Sequence, residues 1–208
     1  MQRRIWVLAI ALSLGYIWLR GGFIGVGAAA QVPAMQPGWQ KATFAVGCFW
    51  TGESDFDKVP GVKATTAGFI GGHVPHPSYE QVARGGTGHA EAVEVLFDPA
   101  VVTYDQLLDY FWHHVDPFVG HRQFCDVGDQ YRPAIFVSSD SQRAAAEASR
   151  SSVQAKFRES IKVSITPAAT FFPADESHQD YYRKHPLQYQ YYRWACGRDA
   201  RLEAIWGT

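Results

Sequence analysis

The stretch Val46-Gly47-Cys48-Phe49-Trp50 ends a run of strand character, Lys41 to Val46, and opens one of helical spacing, with apolar Phe49, Trp50, Phe56 and Val59 set among acidic residues. Pro60-Gly61 closes that helix. Working outward, Val62 to Ile70 is a second strand rich in Thr and Val, stopped by Gly71-Gly72. Ala90 to Phe97 (AEAVEVLF) alternates with the period of a half-buried strand. Between these strands lies a Gly- and Pro-rich loop, His73 to Gly88, with one short turn of helix at Ser78 to Ala83. Loops of that length in compact domains are usually functional. Thr103 caps a helix that buries Leu107, Leu108, Phe111 and Trp112, Pro133 to Val137 is a fourth strand, and Ser141 to Phe157 is a surface helix. Strand, helix, strand, strand, helix, strand predicts an α+β fold, a ferredoxin-like split βαβ two-layer sandwich. From Ile161 an extended C-terminal tail wraps the sheet, with a strand-like piece at Ala168 to Phe172.

The chain of 208 residues is 47% hydrophobic and 19% charged, enough for one sizeable core. Its net charge of -1, with no basic face, argues against nucleic acid as a partner. Residues 1–31 differ from the rest: Arg3 and Arg4 precede an apolar run, Ile5 to Leu19, and small residues follow at Ala28 to Ala30. This is the pattern of an export signal, and a retained membrane anchor is the alternative. Either places the protein in the periplasm, outside the cell, or on the inner membrane. Residues 32–40 read as a linker and 41–208 as one catalytic domain, expected to be a monomer.

The three cysteines, Cys48, Cys125 and Cys196, are an odd number, so a wholly paired structural set is excluded within one chain. Cys48 stands where a helix begins, and the unpaired N–H groups and dipole there favour a thiolate. Phe49 and Trp50 supply two flat apolar walls beside its sulfur, suited to a methyl group. The same residues also suit a buried cysteine among core aromatics.

The GCFW run resembles the signature of the peptide methionine sulfoxide reductases of the A class. The likeness continues in order through 52–61 (GESDFDKVPG), 66–72 (TAGFIGG), 77–83 (PSYEQVA), 87–99 (TGHAEAVEVLFDP) and 126–133 (DVGDQYRP). It implies thiol-dependent reduction of methionine S-sulfoxide, free or in proteins, with repair of oxidised proteins as the outcome. Cys48 would attack the sulfoxide sulfur and become a sulfenic acid. Glu91 would be the acid that protonates the departing oxygen, although its spacing alone makes it one more strand carboxylate like Glu94. Tyr79 and Tyr131 would donate to the sulfoxide oxygen, Asp126 would help position the site, and Phe49 and Trp50 would receive the S-methyl. The resemblance implies Cys196 as the cysteine that resolves Cys48, with Cys125 the rival and a Cys125–Cys196 relay also open. It implies no metal and no nucleotide cofactor, with electrons from a thioredoxin-like dithiol. Thr51 and Ser78 depart from the family's usual residues without removing a reacting group.

Three other readings compete, one of them a non-catalytic interaction domain with the aromatic tail as a peptide-binding surface. A cysteine hydrolase would pair Cys48 with His89. A metal site would draw on His73, His76, His113 and His114, which lack ligand spacing.

Overall fold

A computed structural model describes residues 34–207. The expected signal or anchor at 1–31 lies outside the described residues; among these, no helix is long and apolar enough to cross a membrane. Strand β1 (Gln40–Ala45) leads into α1 (Phe49–Phe56), then β2 (Val62–Ile70), α2 (Tyr79–Ala83) and β3 (Ala90–Phe97). Helix α3 (Tyr104–Trp112) precedes a small hairpin, β4 (Arg122–Gln123) and β5 (Asp126–Val127), whose two-residue loop holds Cys125. A 3-10 turn (Asp129–Tyr131), β6 (Ala134–Val137) and α4 (Asp140–Gln154) follow. The chain finishes with β7 (Ser164–Pro167), β8 (Phe172–Pro173), α5 (Tyr181–Lys184), α6 (Pro186–Ala195) and α7 (Arg198–Trp206).

The main sheet is mixed, in the order β7-β6-β1-β3-β2-β8, with β6 and β7 parallel and every other pair antiparallel. On one face Phe44 of β1 stacks on Phe56 of α1 at 5.0 Å and on Phe111 of α3 at 5.4 Å. Such offset ring pairs add to the area they bury. The opposite face carries smaller residues, Ala45, Ala90, Ala92 and Ala134 with Ile70 and Phe136, and Phe171 covers it.

Three expectations change. The strand-like piece at Ala168 to Phe172 is mostly a connection. Ladder positions go instead to Ser164–Pro167, where Ile165 extends the row beside Ile135, and to Phe172–Pro173 against β2, making six strands. Helix α1 ends at Phe56 and is buried nearly all round: Glu53, Ser54 and Asp55 are as hidden as its rings. The tail is helical rather than extended. Pro186 opens α6, and Gly197, with φ +64°, separates it from α7.

The last two changes share a cause, because the buried acids of α1 hold the tail. Glu53 accepts the Asp180 N–H at 2.9 Å. Asp55 accepts from Arg193 at 2.8 Å and faces Arg198 at 3.6 Å. Arg198, 2% exposed, also donates to the Val46 and His114 carbonyls and lies over the Phe124 ring. Asp55→Ala leaves that guanidinium buried without its counter-charge, so it should lower unfolding stability by about 3–5 kcal/mol. Urea denaturation checks this, and a loss below about 1 kcal/mol, as for a surface pair, would contradict it.

Candidate active site

Gly47 makes the turn from β1 into α1 at φ +89°, and a Cβ there would lie 2.5 Å from Gln123 Cβ. Cys48 is the N-cap of α1 and 7% exposed. Its carbonyl accepts the N–H groups of Thr51 and Gly52 and the Thr51 hydroxyl. Two N–H groups of the first turn remain. Phe49 N–H donates to Glu91 Oε2 at 3.0 Å, and Trp50 N–H faces the Cys48 sulfur.

Glu91 is 1% exposed on β3, and burial pushes its carboxyl up to about 8, against the Phe49 N–H, which favours the anion. At neutral pH it holds a proton. The expected thiolate at Cys48 is not the resting form. Burial raises the thiol well above its ordinary value, Glu91 once ionised and Asp126 add to this by their charge, and Tyr192 and the Trp50 N–H only partly oppose it. Desolvation outweighs a single helix terminus, one of whose donors serves the acid.

Tyr79 opens α2 and Tyr131 closes the 3-10 turn. Burial raises both phenols, and negative charge on Glu91, Cys48 and Asp126 would raise each further. Asp126 begins β5; burial raises it and the Tyr192 hydroxyl donates to it. Phe49 is fully buried, its ring 5.7 Å from Phe69 and 6.1 Å from Tyr79. Trp50 stacks on Tyr181 at 3.8 Å and donates its indole N–H to His178 Nδ1 at 3.3 Å.

Residues 40–208 match the family model described as peptide methionine sulfoxide reductase. The chain belongs to that family. The enzyme MsrA of Listeria welshimeri is 44% identical over 169 residues, 80% of this chain and 96% of that one. The MsrA/MsrB protein of Vibrio cholerae is 43% identical over 181 residues, 86% of this chain, which spans about half (48%) of that longer protein. Mxr1 of Saccharomyces cerevisiae in its reduced form superposes with a TM-score of 0.71 at 30% identity, covering 76% of this chain and 91% of that one. Mxr1 has also been solved in complex with Trx2, with a TM-score of 0.52 at 22% identity over 73% of this chain and 91% of that one. The reductase reaction is the thiol-dependent reduction of methionine S-sulfoxide to methionine.

The hydrolase alternative fails in this reductase on the histidine. His89 accepts the Gly72 N–H at Nδ1, which leaves Nε2–H to donate to the Val74 carbonyl, so both ring nitrogens are occupied away from Cys48. Of the three cysteines, Cys125 and Cys196 are joined as a disulfide and Cys48 is free. Sequence reasoning missed His178, Tyr181 and Tyr192. The crowding of aromatic residues from 178 to 194 was visible, but their contacts with Trp50 and Tyr79 depend on Gln179 and Glu53. The Gln179 amide pairs with both the N–H and the carbonyl of Ala67, and Glu53 anchors Asp180. His178 thereby lies 4.0 Å from the Tyr79 ring.

Two measurements follow from the state of Glu91. The infrared difference spectrum between the reductase and Glu91→Gln should contain a protonated-carboxyl band at neutral pH that fades as pH rises through about 8. The sign is that of a raised acid, protonated below the shifted value. A carboxylate band already present at pH 6 would contradict the assignment. Glu91→Gln should also lower kcat by about 10²–10⁴, the range of a lost general acid; a fall below about tenfold would deny it that role.

Proposed function

We propose that Cys48 is the nucleophile and Glu91 the proton donor of the sulfoxide reduction. The observation that carries this is the division of the first turn of α1: Phe49 N–H holds a carboxyl that keeps its proton, and Trp50 N–H faces the adjacent sulfur. Cys48 attacks the sulfoxide sulfur while Glu91 delivers its proton to the oxygen and the thiol proton returns to the carboxylate. Tyr79 and Tyr131 donate to the oxygen as it takes on charge, and Asp126, which accepts the Tyr192 hydroxyl, helps position the site. Phe49 and Trp50 hold the S-methyl group. Oxygen passes to Cys48 as a sulfenic acid and methionine leaves.

The pairing of Cys125 with Cys196 beside a free Cys48 supports a relay. The Cys196 thiol displaces water from the sulfenic acid to give a Cys48–Cys196 disulfide. Cys125 then attacks Cys196, releasing Cys48 as a thiol. A dithiol reduces the Cys125–Cys196 bond and is itself oxidised, which closes the cycle. A thioredoxin-like protein is the reductant we infer, on the strength of the yeast relative solved with Trx2. Oxidised proteins and peptides are the substrates, and the leader-like run from Ile5 to Leu19 supports an exported location. The central strand order β6-β1-β3-β2, antiparallel throughout, supports the split βαβ description.

Peptide mapping of disulfides after one turnover tests the relay. Cys48→Ser should form no methionine. Cys125→Ser should stop as a Cys48–Cys196 disulfide, and Cys196→Ser as a Cys48 sulfenic acid. A Cys48–Cys125 bond in the wild-type enzyme, or activity in Cys48→Ser, would contradict these roles.

A further inference from the structure

Tyr192 has no part in the steps above, yet it touches them all. It lies one helical turn before Cys196 on α6, and its hydroxyl donates to Asp126, the chain neighbour of Cys125. The phenol also faces the Cys48 sulfur, and its ring stands edge-on to Trp50 at 5.8 Å. The disulfide therefore brackets one hydrogen bond, with Cys125 beside the acceptor and Cys196 four residues from the donor. While it is closed, the end of α6 is bound to the β4–β5 loop, and Tyr192 stays beside a thiol that is only 7% exposed. A sulfoxide must bring its sulfur against Cys48, with its oxygen toward Glu91, and the Tyr192 hydroxyl faces that same sulfur.

We propose that the Cys125–Cys196 disulfide is a redox latch that holds Tyr192 across Cys48 and shuts the site to sulfoxide until a dithiol opens it. The proposal rests on the reductase and relay readings. Opening is a thiol–disulfide exchange: the dithiol gives two electrons and two protons to Cys125 and Cys196 and leaves as a disulfide. The end state of the relay is then a closed enzyme that takes reductant before substrate.

Counting methionine formed without reductant tests the latch. Fully reduced enzyme, freed of dithiol, should form one methionine per chain and stop with Cys125 joined to Cys196 and Cys48 as a thiol. Two methionines per chain, with Cys48 oxidised at the end, would overturn the latch and leave the reductase reading standing. One methionine ending on a Cys48–Cys196 bond would overturn the relay and the latch with it, and none would overturn the reductase reading. Alkylation by iodoacetamide, followed at the Cys48 peptide by mass spectrometry, needs no variant. Cys48 should react at least about tenfold faster in the reduced enzyme than in the disulfide form, and equal rates would overturn the latch. Tyr192→Ala in the disulfide form should regain the missing turnover; failure to do so, with Cys48 alkylation still slow, would remove Tyr192 from the device.

Discussion

The hydrogen bond from the Phe49 N–H to the Glu91 carboxyl joins the first turn of α1 to the middle of the sheet, and the chemistry of the site depends on it. It requires α1 to lie very close to β3. Gly52 permits that approach, since a Cβ there would meet Val93 Cγ2 at 2.6 Å. Gly47 supplies the turn that sets Cys48 at the start of α1. Burial then acts twice, keeping a proton on Glu91 and on Cys48. A resting site of two neutral groups avoids placing two negative charges side by side. In the reaction we propose, the thiol loses its proton to Glu91 only as Glu91 gives its own to the substrate oxygen.

The second constraint is the acidic side of the same short helix. Glu53, Asp55 and Asp57 each hold a different part of the tail: the Asp180 N–H, the Arg193 and Arg198 guanidinium groups, and the Tyr182 hydroxyl with Arg183. Glu53, like Glu91, is pushed by burial to about 8, so at neutral pH it accepts the Asp180 N–H as a neutral acid. These contacts seat His178 and Tyr181 against Trp50 and bring Tyr192 beside Trp50 and Cys48. Arg198 extends the link, donating to the carbonyl of Val46 two residues before Cys48 while lying over Phe124 beside Cys125.

Strands β1, β2, β3 and β6 were legible in the sequence because each carries a periodic or apolar run bounded by turn residues. Cys48 was legible from its place at a strand-to-helix junction, and Glu91, Tyr79, Tyr131 and Asp126 only through the family motifs, since their spacing alone suits ordinary surface or core positions. The tail was not legible. Its tyrosines and arginines look solvated, and their partners are carboxylates that composition assigns to the surface of α1. The state of Cys48 was misjudged for a related reason: the sequence marks a helix start but not which side chain receives its free N–H groups. The pairing of Cys125 with Cys196 follows from where α6 ends, which no local pattern encodes.

The most direct measurement of the central claim is a single turnover of the Cys125→Ser/Cys196→Ser double variant on a methionine sulfoxide labelled isotopically at its oxygen. One methionine per chain is expected, with the label on Cys48 as a sulfenic acid. Methionine formed with the label released to water and Cys48 unmodified would contradict the claim.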